Sequence, residues 1–228
     1  FYSNFKSSLI MTFHIITIFP DIFISYFNES IIKRAKESGS IDIKIHNLRD
    51  FTEDRHKTVD DTPYGGGPGM VLKVEPIFKC VEKIKKDEIL KGETVKVFLT
   101  SAKGEEFSQK VATEVTKIDN LIIICGRYEG VDERIAQNVA DKEISIGKYI
   151  LTGGELPAMV IIDSVSRLLP GVLGNKDSLV SESHNEDDLF DYPVYTKPDK
   201  FNDWEVPKVL LSGNHKEIDA WRENKKQK

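Results

Sequence analysis

The sequence is poor in cysteine and contains no long apolar run. Its 228 residues include only Cys80 and Cys125, which form no CxxC pair and have no histidine neighbours at ligand spacing. We therefore predict two reduced core thiols rather than a disulfide, and no metal site. No apolar stretch reaches the roughly 20 residues that a membrane-spanning helix needs. We expect a cytoplasmic protein without membrane contact.

The chain also has no excess of positive charge. The chain has 32 basic and 37 acidic side chains and a net charge of −5. Taken alone, this balance argues mildly against a nucleic-acid partner, but binding depends on where the basic residues cluster. With 39% hydrophobic and 30% charged residues, the chain belongs to neither the disordered nor the membrane class.

Strand and helix patterns alternate along most of the chain. The apolar periodicity predicts strands over 13–19, 41–45, 95–99, 121–125 and 143–146, and helices over 21–38, 74–86, 105–117, 132–140 and 156–169. Such alternation favours an α/β fold, with a parallel sheet and helices on both faces. Ligands of these sheets bind outside the carboxyl ends of the strands.

The alternating pattern stops near Gly171. Residues 1–10 precede Met11, the expected natural start, and are interpreted as an upstream extension or added residues. We predict one domain over 11–172, a polar and acidic linker over 173–192, and a short second domain over 193–228 with a helix at 215–222.

A glycine-rich stretch, Tyr64 to Met70, lies in a long polar loop. It is no Walker loop, because no Gly-Lys-Ser/Thr follows, and no GxGxxG fingerprint, because Leu72 stands where the last glycine belongs. On the glycines alone, a surface turn is the favoured interpretation. The preceding run mixes cations with an aromatic, which suits phosphate and base contacts; the alternative is a solvated charged loop. The candidate nucleic-acid contacts are Arg49, Arg55, His56 and Lys57.

Two further glycine-bearing loops, 125–134 and 145–157, each follow a strand and open a helix. Free backbone N–H groups at such positions can bind a ligand. In the second loop, Ile146 and Leu151 are placed to sandwich an adenine ring. Each loop is also consistent with ordinary turn chemistry, but three of them in one parallel-sheet chain favour a nucleotide-like ligand.

The residues that carry these motifs match a known family. The blocks are RDFTEDRHKTVDDTPYGGGPGM, CGRYEGVDER, SIGKYILTGGELPA, SRLLPGVLGN, and PVYTKP followed by VPKVLLSGNH. From Met11 to about Arg222, the chain resembles the TrmD family of tRNA (guanine-N1)-methyltransferases. The resemblance implies the SPOUT fold, a parallel sheet knotted near the methyl-donor site, with a small, mainly helical C-terminal tRNA-binding domain. Without it we would expect an open doubly wound sheet, because knots are rare.

The resemblance also implies a reaction and an assembly. The chain would transfer a methyl group from S-adenosylmethionine to N1 of the guanosine just 3′ of the tRNA anticodon, position 37. It would act as a homodimer whose active sites are built by both subunits. The methyl-donor site would comprise Leu99, Ser101, Gly126, Tyr128, Glu129, Ile146, Gly147, Tyr149, Leu151, Gly153 and Gly154.

Two catalytic roles come with the resemblance. Arg167 falls at the family's active-site arginine. The linker is one residue longer here than in the family, and Glu182 falls at the family's linker aspartate; Asp177 is the alternative if the inserted residue lies elsewhere. A carboxylate would take the proton from the guanine nitrogen as the methyl group arrives, and a guanidinium would stabilise the charge on the carbonyl oxygen.

Three features depart from the family pattern or leave room for other interpretations. Ala102 replaces a proline that many relatives carry, and the C-terminal domain is short. Mg²⁺ assistance is also implied, and the acidic cluster Glu186, Asp187 and Asp188 is able to hold a hard cation, although a solvated linker is favoured.

The rival functions are a catalytically silent RNA-binding protein of this fold and a nucleotide-dependent oxidoreductase or kinase.

Overall fold

In the computed structural model, the described residues are 10–89, 91–173 and 192–226. The chain divides between residues 174 and 175 into two compact units, and each unit is described by itself. The boundaries predicted for the domains and the linker stay predictions.

The first unit alternates strands and helices. Its elements are β1 (Met11–Thr17), a 3-10 helix (Pro20–Phe23), α1 (Ile24–Phe27), α2 (Ser30–Glu37), β2 (Ile41–Asn47), a 3-10 helix (Leu48–Phe51), β3 (Asp60–Asp61), β4 (Val71–Leu72), α3 (Val74–Ile89), β5 (Val95–Glu106), α4 (Gln109–Val115), β6 (Asn120–Cys125), α5 (Glu133–Asn138), β7 (Lys142–Ser145) and α6 (Glu155–Ser166).

A five-stranded parallel sheet forms the centre of this unit, in the order β2-β1-β6-β5-β7. Every residue of β1 and of β6 is buried. Strands that are covered on both faces favour apolar side chains at successive positions, which explains the nearly continuous apolar run of β6, whereas β1 also buries the polar residues Thr12, His14 and Thr17. The strand predicted over 121–125 is found to within one residue, whereas the strand predicted over 13–19 lies two residues earlier, at Met11–Thr17.

Helices cover both faces of the sheet, as predicted. One core cluster contains Phe13, Leu121 and Ile161 and joins α1, α2, α4 and α6 to the sheet. The other contains Ile16, Ile122 and Ile77 and joins α3 and α5 to the opposite face. Neighbouring residues of β1 and β6 thus enter different clusters, as the twofold alternation of strand side chains requires.

Two predicted helices differ most from the structure, while the bounds of the others shift by up to three residues. The prediction of one helix over 21–38 is wrong, because the segment breaks at Asn28 and Glu29, where Glu29 is extended. The predicted helix over 105–117 begins only at Gln109, where Ser108 caps it by accepting a hydrogen bond from the Val111 amide. Residues 105 and 106 instead extend β5, because Glu105 pairs with Ile144 of β7 beyond an irregularity in the register.

Over residues 192–226, the second unit contains a short hairpin and two helices: β8 (Lys200–Phe201), β9 (Trp204–Glu205), α7 (Lys208–Leu211) and α8 (His215–Lys225). Phe201 and Trp204 face each other across the hairpin, with ring centroids 5.9 Å apart. The helical content of this unit agrees with the predicted fold class. Within the described ranges of both units, no helix is long and apolar enough to cross a membrane.

Candidate active site

A cavity of about 460 Å³ lies at the carboxyl ends of β5, β6 and β7. Its wall is formed by residues 99–103 of β5 and by the segments that follow β6 and β7, and the carboxyl ends of parallel strands are the position expected for a ligand site. Each residue predicted to bind the methyl donor lines it: Leu99, Ser101, Gly126, Tyr128, Glu129, Ile146, Gly147, Tyr149, Leu151, Gly153 and Gly154. The structure thus brings these residues together, while their role in binding stays a prediction.

The segment after β7 crosses directly over the ends of β5 and β6. The Gly154 amide donates to the Gly126 carbonyl at 2.8 Å, and a Cβ on Gly154 would stand 2.7 Å from the Cys125 Cα. Only a glycine permits so close a backbone approach. Because β7 is an edge strand, an open sheet would let the chain leave at that edge. After its edge strand, the chain therefore returns over the carboxyl ends of β5 and β6.

A buried ion pair links two of the predicted loops. Arg127 Nε donates to Glu155 Oε2 at 2.8 Å, and Thr17 Oγ1 donates to the other carboxylate oxygen at 2.8 Å. The Arg127 guanidinium also lies over the Phe19 ring, 4.7 Å from its centroid. Sequence reasoning missed this network, although Arg127 and Glu155 each lie within a strand-end motif. A Cβ on Gly153 would stand 2.6 Å from Arg127 Cδ, so the loop fits closely over this side chain.

The loop after β6 has a constrained backbone. Tyr128 has a φ of 63°, which is uncommon for a bulky side chain and typical of functional or tight turns. The next residue, Glu129, donates its amide to the Met70 carbonyl at 3.0 Å, and Leu72 donates to the Gly130 carbonyl at 3.0 Å. The end of the glycine-rich stretch therefore packs against the donor-site loop, whereas Tyr64 at its start is fully exposed.

One end of the cavity is lined by charged side chains. Lys103 Nζ donates to Glu133 Oε2 at 2.8 Å and lies 3.7 Å from Glu143 Oε1. The hydrogen bond to Glu133 raises the pKa of Lys103 above its ordinary value, so the lysine stays charged at neutral pH. Sequence reasoning missed this cluster, because its members come from three separate segments.

The candidate nucleic-acid contacts lie in the loop after β2. Arg49 Nη1 donates to the Lys57 carbonyl at 3.3 Å, while Lys57 Nζ lies 3.2 Å from Asp50 Oδ1. The side chains of Arg55 and His56 are exposed. The structure therefore places two of the four cations together and leaves the other two on the same exposed loop, although Asp50 offsets part of the charge.

The structure separates Arg167 from the cavity. Gly154 precedes the first turn of α6 and Arg167 follows its last turn, so about 20 Å of helix lies between them at 1.5 Å per residue. Glu182, Asp177 and the acidic cluster Glu186, Asp187 and Asp188 lie outside the described residues. Among the residues that are described, no group of three or more His, Cys, Asp or Glu side chains is arranged to hold a metal ion.

Both cysteines are buried free thiols, as predicted. Burial raises the pKa of Cys80 to about 12 and that of Cys125 well above its usual value, because the charged thiolate is poorly solvated there. Both thiols belong to the core clusters, and neither lines the cavity.

Comparisons with known proteins agree with this geometry. A model of the family described as tRNA (Guanine-1)-methyltransferase TrmD matches residues 11–228. A tRNA (guanine-N(1)-)-methyltransferase of Dictyoglomus turgidum is 55% identical, covering 91% of this chain and 82% of that protein. The protein of the same name from Clostridioides difficile is 50% identical, covering 93% and 90%. The crystal structure of a tRNA (m1G37) methyltransferase from Aquifex aeolicus superposes with a TM-score of 0.78 at 40% identity, covering 94% of this chain and 91% of that one.

Proposed function

The chain belongs to the TrmD family of tRNA (guanine-1)-methyltransferases, and we propose that it transfers a methyl group from S-adenosylmethionine to N1 of the guanosine at position 37 of tRNA. It is a methyltransferase with the SPOUT-type fold, as the family and the Aquifex structure indicate. The observation that carries the proposal is the cavity, because all eleven residues of the expected donor site line it.

The cavity fits S-adenosylmethionine by size and chemistry. Its volume of about 460 Å³ lies within the range of small-molecule sites. Leu99, Ile146 and Leu151 supply apolar surface for a flat ring, and the glycine-bearing loops expose backbone groups that can pair with the edge of a base. The sulfonium of the bound donor supplies an activated methyl group, so the main contribution of the chain is position.

The remaining chemistry concerns the guanine. Its N1 carries a proton at neutral pH, and a general base must remove it as the methyl group arrives. We assign this role to Glu182, with Asp177 as the alternative. Arg167 would place its guanidinium at the guanine carbonyl oxygen and stabilise the charge that develops there. Mg²⁺ is a further cofactor candidate, although the described residues include no group of side chains arranged to hold it.

A single subunit does not bring Arg167 to its own cavity. About 20 Å of helix α6 lies between Arg167 and Gly154, which is longer than an arginine side chain. This separation supports a homodimer in which the Arg167 of one subunit serves the cavity of the other. Exposed apolar side chains near α6 also support a second copy as partner: Phe19, Ile22, Tyr26, Leu156 and Val160.

Contacts around these exposed apolar side chains indicate that they form one surface. Leu156 and Val160 lie on one face of α6, and Asp163 on the same face accepts a hydrogen bond from the Tyr26 hydroxyl. The Phe19 ring lies against the Arg127 guanidinium, and Arg127 pairs with Glu155 at the start of α6. Phe19 therefore lies next to the same surface. An apolar surface of this kind on a helix is typical of an interface.

Transfer RNA is the proposed macromolecular substrate. The loop with Arg49, Arg55, His56 and Lys57 offers phosphate contacts, and the second unit offers exposed rings on Phe201 and Trp204, onto which unpaired bases can stack. A tRNA substrate also accords with the predicted cytoplasmic location. The rival functions are less well supported, because relatives that are 50–55% identical are named as methyltransferases.

The proposal is tested by mapping the product. The protein is incubated with methyl-labelled S-adenosylmethionine and an anticodon stem-loop that carries guanosine at position 37. Digestion and mass spectrometry should recover 1-methylguanosine from that position, and a stem-loop with adenosine there should stay unlabelled. Label at another base would contradict the assigned position, and no label with a protein that binds both ligands would favour the silent RNA-binding alternative.

A further inference from the structure

The loop between β7 and α6 supplies much of the cavity wall. Its start is held by contacts of its own, since the Gly147 amide donates to Ser145 Oγ at 3.3 Å and the Tyr149 hydroxyl donates to the Ile146 carbonyl at 3.1 Å. Its middle projects from the surface, where Ile150 is 83% exposed. The position of its far end therefore depends on contacts with the loop after β6.

Arg127 contacts this far end through both its backbone and its side chain. It pairs with Gly153 in an isolated antiparallel bridge, and its Nη1 donates to the Thr152 carbonyl at 3.3 Å. The Gly153 backbone packs directly on the Arg127 side chain, since a Cβ at that glycine would collide with it. One arginine thus holds two successive residues of the loop.

The guanidinium is in turn fixed from the protein interior. Its Nε donates to Glu155, a residue that is 1% exposed, and the Phe19 ring lies against its face. A guanidinium is planar, and its N–H groups diverge in fixed directions. Because Nε is held on the buried carboxylate, Nη1 is aimed at the Thr152 carbonyl, and the order of the core extends to the cavity wall.

Resting on the donor site proposed above, we propose that Arg127 is a positioning residue for the methyl donor. Its guanidinium bridges Glu155 and the Thr152 carbonyl and thereby holds residues 151–154 in their donor-binding position before the donor arrives. A loop that is already ordered adds no ordering cost to binding, so its affinity for the donor is higher. Arg127 acts through the loop backbone and not on the reacting atoms.

Arg127→Lys tests the inference, because lysine retains the charge opposite Glu155 but lacks the planar fork that contacts Glu155 and the Thr152 carbonyl together. Calorimetric titration should show S-adenosylhomocysteine binding about tenfold more weakly, as the loss of a hydrogen bond from a charged group implies. KM for the methyl donor should rise by a similar factor, while kcat at saturating donor stays close to that of the intact protein. The amides of residues 148–154 should exchange with deuterium faster, because the loop opens locally more often.

Arg34→Lys is the matched control. Arg34 lies in α2, outside the cavity wall, and its Nε also donates to a backbone carbonyl, that of Ser30, at 3.4 Å. This variant should keep the donor affinity of the intact protein and its exchange rates over 148–154. A second test variant, Arg127→Met combined with Glu155→Leu, removes the guanidinium without leaving a buried charge unpaired. It should also lose donor affinity, and it carries the test if Arg127→Lys does not fold.

The outcomes separate this inference from the proposed function. If the intact protein does not bind S-adenosylhomocysteine, the donor site itself is wrong. If it binds, and either folded Arg127 variant binds equally tightly, the donor site stands and the inference is overturned. Faster exchange spread over the whole unit, in place of the loop alone, would also overturn it, because the lost affinity would then reflect a weakened fold. Thermal unfolding checks that each variant is folded at the temperature of the titration.

Discussion

The pair of Arg127 and Glu155 shows how single residues hold the site together. Its side chains are 18% and 2% exposed, and Thr17 satisfies the second carboxylate oxygen. Removing one partner of a buried ion pair leaves the other charge uncompensated, which costs about 3–5 kcal/mol. We therefore predict that Glu155→Leu lowers the free energy of unfolding by about that amount in urea titrations.

An exposed pair provides the control for this substitution. Glu133 and Lys103 have side chains that are 57% and 61% exposed, and surface pairs contribute only about 0–1 kcal/mol. Glu133→Leu should accordingly change the unfolding free energy by less than about 1 kcal/mol. If Glu155→Leu were as mild as Glu133→Leu, the buried pair would not be a stabilising link between the loops.

The identity of the general base is a second question at the residue scale. Removing a positioned base costs about 10²–10⁴-fold in rate. Glu182→Gln should lower turnover by that order while the affinities for donor and tRNA stay close to those of the intact protein, because the amide keeps the shape of the side chain. Asp177→Asn should be mild. The reverse pattern in the two variants would assign the base to Asp177.

At the scale of elements, a partly buried histidine pair joins β1 to β2. His14 Nδ1 lies 3.1 Å from His46 Nε2, and the rings stack with centroids 5.3 Å apart. The other nitrogen of His14 faces Asn120 Oδ1 at 3.3 Å and Glu88 Oε1 at 3.7 Å. Lys44 lies beside the same glutamate. Burial lowers the pKa of both histidines, and that of His46 falls to about 4.

These pKa values predict the direction of an acid effect on stability. In the unfolded chain both histidines titrate near 6.5, so the unfolded state binds protons more readily than the folded state does. The stabilisation is complete above about pH 6.5 and is lost as the pH falls towards 4. Urea midpoints at pH 7.5 and 5.0 should show a drop in the intact protein and a smaller drop in His46→Gln. An equal drop in both proteins would mean that other groups cause the acid effect.

The elements also show what the sequence alone can predict. The strand β6 is recognisable because a strand buried on both faces favours a run of apolar residues, and the donor-site residues gather because parallel strands share one carboxyl edge. The start of α4 was misplaced because Glu105 pairs with Ile144, a contact between distant segments. For the same reason, the crossing at Gly154 and the pair of Arg127 with Glu155 cannot be predicted from local patterns.

At the scale of the whole molecule, the acidic net charge must be reconciled with a tRNA substrate. We propose that the positive charge that meets tRNA is concentrated in one place, since Arg49 and Lys57 are held together on one exposed loop with Arg55 and His56. Lysines near the C-terminus add further positive charge. Each phosphate contact releases counterions, so the affinity for tRNA should fall steeply as salt increases.

The salt dependence is measured by filter binding or fluorescence between about 50 and 200 mM salt. Replacing Arg55 and Lys57 together by alanine should reduce the slope of log affinity against log salt by about one for each lost contact. Replacement of Lys96, an exposed lysine that pairs with Asp141, serves as the control and should leave the slope unchanged. A slope that is the same in all three proteins would show that the loop does not contact tRNA.

The donor site is tested most directly by a titration of S-adenosylhomocysteine into the intact protein and a Gly153→Val variant. A side chain at this position would run into Arg127 at the cavity wall, so the account predicts that the intact protein binds and that the folded variant loses donor affinity. Gly92→Asn is the control, since Gly92 does not line the cavity and a side chain there would meet open space. Asparagine tolerates the positive φ at this position, and the variant should bind normally. Unchanged affinity in a folded Gly153→Val protein would contradict the claim that this cavity holds the methyl donor.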